Sequence, residues 1–222
     1  EISCSLVGSE MCIRDRILAM LGHILCGFTD CLLAYTPNGR FEFACLKDNQ
    51  KMSKVFENMP LKNIILSMLL GVLAFSISIF GYLALCNWIE QFSNICAIIM
   101  FISIIIYFIF VTAHHVFCGV IEWFYIRLGR TKEVLVVITE FLKKTSITMY
   151  ISYIALFIFA ITFFIAIISG ITSLPRWAAI FNTIPLFLII AKTKLPAKGN
   201  IAGAVMFLGC LLYTSDAADD KA

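Results

Sequence analysis

The hydrophobic residues of this chain fall into long runs, separated by short segments that hold most of its charged residues. A helix needs about 20 consecutive apolar residues to cross a ~30 Å hydrocarbon core. Lipid offers no hydrogen bonds to the backbone, so such runs must be helical. The pattern predicts an all-α polytopic helical bundle with six membrane spans, at 17–35, 64–86, 95–126, 147–169, 177–191 and 201–209, the last of them truncated.

Two spans and one loop depart from a simple crossing. The span at 95–126 is too long for one upright passage, so we expect it to tilt or to continue at the interface. The span at 177–191 is short, and Pro185 is expected to bend or thin it. The first loop has an apolar stripe, which we expect on the inner leaflet; the alternative is a loop helix packed on the bundle. This stripe consists of Met52, Val55, Phe56 and Met59.

The amino-acid composition supports a lipid environment. The chain is 61% hydrophobic and 14% charged, whereas soluble domains have about 45–50% apolar and about 25% charged residues. These values exclude a disordered tail, a coiled coil and an ordinary soluble domain.

The two ends of the chain are related in a way that no fold explains. Residues 10–15 can be encoded by DNA whose reverse complement encodes residues 210–215. This DNA resembles the adapters ligated to sequencing libraries, so we expect 1–15 and 210–222 to be non-native read-through. Residues 16–209 are then a single transmembrane domain and a fragment. The alternative is a genuine polar N-terminus and acidic C-terminal tail.

Setting these ends aside changes the charge pattern. Acidic residues fall from 14 to 8 and basic residues from 17 to 15, so the net charge rises from +3 to about +7. The basic residues concentrate in the loops 36–63, 127–146 and 192–200, while the other two loops hold only Arg176. The positive-inside rule therefore predicts a multi-pass membrane protein with these three loops in the cytoplasm. The alternative is contact with nucleic acid or anionic lipid; we expect a lipid bilayer and no nucleic-acid partner.

Ionisable residues inside membrane spans are costly and are candidates for function. His23 and Asp30 lie seven residues apart on one helix face, and the predicted topology places Asp30 at the depth of His115 and Glu122. A histidine beside a carboxylate suits acid-base chemistry, so Asp30, His115 and Glu122 are the catalytic candidates. We predict a polar cavity at the inner leaflet with the ligand-binding candidates Asp30, His114, His115, Tyr150, Tyr153 and Asn182.

Purely structural interpretations of the same residues are the alternatives. Glu122 lies in an aromatic belt and could face water or a nearby arginine, and Asp30 could cap a structural hydrogen-bond network. Adjacent histidines point about 100° apart on a helix, so we expect no metal site. We also expect no cofactor, because phosphate-binding and dinucleotide motifs are absent from the sequence. The small residues Ser67, Gly71, Ala74, Ser78 and Gly81 share one face and favour close helix packing over a cavity wall.

Three short motifs carry a family resemblance. They are Gly27-Phe28-Thr29-Asp30 with Leu32-Leu33, Leu174-Pro175-Arg176-Trp177 with Phe181-Asn182, and Gly199-Asn200-Ile201-Ala202. Through them the chain resembles a family of uncharacterised bacterial multi-span proteins that carries only a domain-of-unknown-function label. The resemblance implies a six-helix membrane protein without an assigned reaction, and it adds weight to Asp30 and Asn182.

Three hypotheses about function follow. The leading one is a membrane protein that binds or transports a small molecule or a lipid through the inner-leaflet cavity. The second is a membrane-embedded enzyme that uses the Asp/His/Glu cluster, and the third is a scaffold or regulatory subunit whose polar residues only pack. The first two require Asp30 and His115 to lie on the same side of the bundle.

Overall fold

A computed structural model describes the backbone from Ile2 to Asp219 and the side chains of residues 13–212. Most residues of the two predicted non-native ends, 1–15 and 210–222, lie outside the range whose side chains are described. Their non-native origin stays a prediction. A short antiparallel pair, β1 (Tyr35–Thr36) with β2 (Gly39–Arg40), follows the first helix, and 3-10 helices cover Phe43–Lys47 and Arg176–Phe181. The α-helices are α1 (Ile2–Ala34), α2 (Asn49–Val55), α3 (Leu61–Glu90), α4 (Asn94–Arg127), α5 (Lys132–Thr145), α6 (Ile147–Ile168), α7 (Thr183–Ala191) and α8 (Lys198–Asp219).

Four helical segments in the range 13–212 are long and apolar enough to cross a membrane. They are Ile13–Ala34, Leu61–Glu90, Asn94–Arg127 and Lys132–Ile168, and they cover the first four predicted spans except for the last residue of the first and of the fourth. The helical fold class is therefore confirmed, together with four candidate spans. The count of six and the insertion itself stay predictions.

The fifth predicted span is two short helices rather than one bent helix. Its backbone is extended at Asn182, whose side chain accepts a hydrogen bond from the Ile184 N–H and so caps α7. Pro185 consequently lies in the first turn of α7, where proline is tolerated because the N–H groups there have no helical partner. The interruption thus precedes Pro185. The nine residues of α7 are about 14 Å long, too short to cross a bilayer alone.

Helix α4 is unbroken over 34 residues, or about 51 Å, which exceeds the ~30 Å hydrocarbon core. Its partner is α5 followed by α6, with only Ser146 between them. Helix α4 packs against both. The surplus length of α4 therefore has a partner helix in α5, and α4 and α5 form a hairpin.

The long helices surround a central tyrosine. Helix α3 packs on α1 and α4, α4 packs on α6, and α8 packs on α1, while the segment 176–191 contacts α6 and α8. The ring of Tyr82, from α3, is 5.3 Å from Phe108 of α4, 5.2 Å from Phe159 of α6 and 4.9 Å from Phe207 of α8, between centroids. Aromatic rings meeting edge to face at these distances stabilise the packing.

A second hydrophobic cluster lies at the hairpin end of the bundle. Met52, Phe56 and Met59 are buried there, together with Leu135 and Ile138 of α5. The leaflet placement of the first-loop stripe is therefore wrong, because three of its four apolar side chains pack against protein. The Tyr125 hydroxyl donates to Asn49 Oδ1 at 2.9 Å and ties this loop to α4.

Candidate functional site

The structure brings Asp30 and His115 together inside the bundle. Asp30 lies near the end of α1, and its Oδ1 is 3.5 Å from Nδ1 of His115 on α4. The other ring nitrogen, Nε2, is 3.2 Å from the Ser67 carbonyl oxygen of α3. The Nε2 atom donates here, because a carbonyl oxygen only accepts. His115 therefore links Asp30 of α1 to the backbone of α3.

Asn200 joins this pair to a second histidine. Its Nδ2 donates to Asp30 Oδ2 at 2.8 Å. A carboxylate only accepts, so the amide must turn its nitrogen toward Asp30 and its oxygen toward His23 Nδ1, which lies 3.1 Å away. His23 Nδ1 then carries the proton, and Nε2 accepts from the Tyr82 hydroxyl at 2.8 Å.

These contacts form one connected series of four hydrogen bonds and one ion-pair contact, Asp30 with His115, which we call the polar chain. It comprises Tyr82, His23, Asn200, Asp30, His115 and Ser67, drawn from α1, α3, α4 and α8. Only its middle is accessible, because 35% of the Asp30 side chain is exposed whereas His115 is 7% exposed. Solvent or a ligand can therefore reach the polar chain at the Asp30 carboxylate, whereas Tyr82 and Ser67 at its two ends are buried.

Two glycines make room for the histidines. A Cβ on Gly71 would overlap the His115 ring, and a Cβ on Gly203 would overlap the His23 ring. Gly71 belongs to the predicted small-residue face of α3, all five residues of which are buried. That face packs against α1 near Gly22 and Ala19, and it also admits His115 from α4.

The other predicted ligand residues lie elsewhere. His114 faces Thr148 of α6, whose Oγ1 is 3.3 Å from its Nδ1. Tyr150 and Tyr153 are 56% and 61% exposed on the outer surface of α6. The Asn182 amide donates to the Ala160 carbonyl at 2.9 Å and caps α7. Of the predicted set, the structure joins Asp30 and His115, and a cavity shared with the remaining four stays a prediction.

Glu122 has a separate environment. It is 2% exposed, and its Oε2 has no hydrogen-bond partner among the described residues. Its side chain is therefore buried, and it forms no salt bridge with an arginine in the part of the chain whose side chains are described. Across residues 13–212, no three His, Cys, Asp or Glu side chains are grouped so that they could hold a metal ion.

Sequence reasoning missed four members of the polar chain as site residues. His23 had a signal, since it shares a helix face with Asp30. Asn200 lies in one of the motifs that carry the family resemblance. Tyr82 and Ser67 carry no comparable signal, because a tyrosine or serine in an apolar helix is ordinary packing material.

The chain is similar to one described protein family over most of its length. A family model described as a family of unknown function (DUF6796) matches residues 13–217. No curated protein and no solved structure matches the chain. The match covers most of the sequence and confirms the resemblance inferred from the three motifs. The chain belongs to the family of unknown function DUF6796.

Proposed function

We propose that this protein crosses the membrane several times and binds a small molecule or a lipid headgroup at Asp30, on the cytoplasmic side. The observation that carries the proposal is a carboxylate that is 35% exposed and held by fixed donors from two other helices. Intramembrane carboxylates without a role are rare because they raise the cost of insertion.

The free lone pairs of Asp30 define the chemistry of the ligand. An ionised carboxylate offers about four acceptor positions, and His115 and Asn200 each engage one oxygen. The remaining lone pairs of Asp30 can only accept hydrogen bonds. The ligand therefore presents an N–H or O–H group, such as a primary amine or a polyol, and a quaternary ammonium would find no hydrogen bond here.

The partners of Asp30 support a preformed site rather than a flexible one. His115 is packed on Gly71 and also donates to the Ser67 carbonyl. Asn200 is held from its other side by His23. Because each partner is itself fixed, Asp30 is oriented before any ligand arrives, which lowers the entropic cost of binding.

The test is native mass spectrometry of the full chain in nanodiscs that contain phosphatidylethanolamine, phosphatidylglycerol or phosphatidylcholine, together with analysis of co-purified metabolites. We expect a bound species with N–H or O–H donors in the wild type. Asp30→Asn puts an amide at the accepting position and is expected to lower its occupancy at least tenfold.

Glu140→Gln is the matched control, because Glu140 is an exposed carboxylate on α5 paired only with Lys144. It is expected to retain the wild-type ligand. The same ligand profile in the wild type, Asp30→Asn and Glu140→Gln would contradict the proposal and would leave the polar chain a purely structural role.

A further inference from the structure

An apolar groove separates the two helices of the hairpin. Its volume is about 430 Å³, within the range of about 300–1,000 Å³ that is typical of ligand pockets. One wall is a row on α4 and the other a row on α5. The lining side chains include Val120 and Phe124 of α4, Leu128 directly after it, and Val134, Val137 and Phe141 of α5.

The apolar face of α5 is only half covered by the protein. Leu135, Ile138 and Leu142 are buried in the second hydrophobic cluster. Val137 and Phe141, next to them around the helix, are 66% and 38% exposed and face the groove. The apolar stripe of an amphipathic helix packs against apolar surroundings. The uncovered half therefore points to an apolar occupant.

The two ends of the groove differ in chemistry. At the end nearer to α6, the Phe141 ring meets Phe117 at 5.5 Å between centroids. At the other end, the turn between α4 and α5 carries Arg127, Arg130 and Lys132. None of these three cations forms a salt bridge with any residue that the structure describes, and Glu133 is the acidic residue beside them.

We propose that this groove binds one anionic phospholipid, with an acyl chain between α4 and α5 and the phosphate at the basic turn. The groove follows a helix that is too long for the bilayer core, so it runs from the spanning part toward the headgroup region, as an acyl chain does. Unpaired cations at its outer end attract anionic headgroups. The inference is independent of Asp30, which lies outside the groove lining.

The test measures binding of phosphatidylglycerol and of phosphatidylcholine with the same acyl chains to the full chain in detergent, by native mass spectrometry. Val137→Trp fills the groove, and Val137→Gln makes its wall polar without adding bulk. Both are expected to weaken phosphatidylglycerol binding at least tenfold. Arg127→Gln with Lys132→Gln is expected to abolish the preference for phosphatidylglycerol over phosphatidylcholine.

Val136→Trp is the matched control, because Val136 is 60% exposed on the same helix and is not among the groove-lining residues. It is expected to bind as the wild type does. Asp30→Asn is also expected to leave this binding unchanged, so failure here is distinct from failure of the Asp30 site. Unchanged phosphatidylglycerol binding in both Val137 variants would overturn the proposal. A second contrary outcome would be a wild-type dimer that Val137→Trp converts to a monomer without weakening lipid binding, because the groove would then hold a second copy of the chain.

Discussion

At the scale of single residues, His23 depends on the missing side chain of Gly203. Adding a Cβ to Gly203 would overlap the imidazole ring, which is held by Asn200 and Tyr82 and so has little freedom to move. Overpacking of this kind costs about 1–3 kcal/mol. We therefore expect Gly203→Ala to lower the thermal unfolding temperature of the purified protein in detergent.

Gly199 provides the control on the same helix. No atom from another part of the chain lies within 4 Å of a Cβ built there, and alanine is a better helix former than glycine. Gly199→Ala is expected to keep or raise the unfolding temperature. Equal unfolding temperatures for the two variants would mean that His23 is not seated on α8 as described.

At the scale of elements, the first loop is anchored by Phe56. This side chain is fully buried, and its ring lies 6.1 Å from Tyr125 of α4 and 5.2 Å from Phe41, between centroids. Truncation of a buried phenylalanine costs about 3–5 kcal/mol. We expect Phe56→Ala to release α2, so that trypsin cleaves faster at Lys51 and Lys54.

Phe43 serves as the control for this loop, because it is 56% exposed. Phe43→Ala is expected to leave the tryptic rate near that of the wild type. If Phe56→Ala leaves cleavage at Lys51 and Lys54 unchanged, α2 does not depend on the second cluster for its order.

The spacing of apolar residues predicted that these helices exist, but it did not predict what each helix packs against. The stripe Met52–Met59 has the spacing of an amphipathic helix whether lipid or protein covers it, so its placement needed the position of α4 and α5. Likewise, Pro185 is compatible with a bend or with a first turn. The structure shows a first turn, because the Asn182 side chain caps α7 just before Pro185. A hydropathy pattern does not contain this local hydrogen bond.

At the scale of the whole molecule, the basic loops predict orientation. We expect Lys54 in the cytoplasm and Ser173 outside, by the positive-inside rule. Both positions are exposed on the protein. In a cysteine-free background, a membrane-impermeant maleimide should label Ser173→Cys in intact cells and Lys54→Cys only after permeabilisation. The reverse labelling would invert the proposed topology.

The pairing of Asp30 with His115 could be predicted because predicted topology fixes depth, and the two residues share one depth. Depth does not specify which helices are neighbours. Asn200 belongs to the polar chain because α8 packs against α1, a contact that no periodicity encodes. Tyr82 joins it because α3 packs against α1, which brings its hydroxyl to His23. The residues that complete the site therefore depend on tertiary packing.

The bond between Asn200 and Asp30 spans 170 residues of sequence. At a translation rate of about 5–20 residues per second, the ribosome reaches Asn200 about 10–30 s after Asp30. During that interval α1 carries its carboxylate without its amide partner, and an unpartnered carboxylate raises the cost of inserting a predicted span. The carboxylate of α1 therefore stays without its amide partner until α8 has been synthesised.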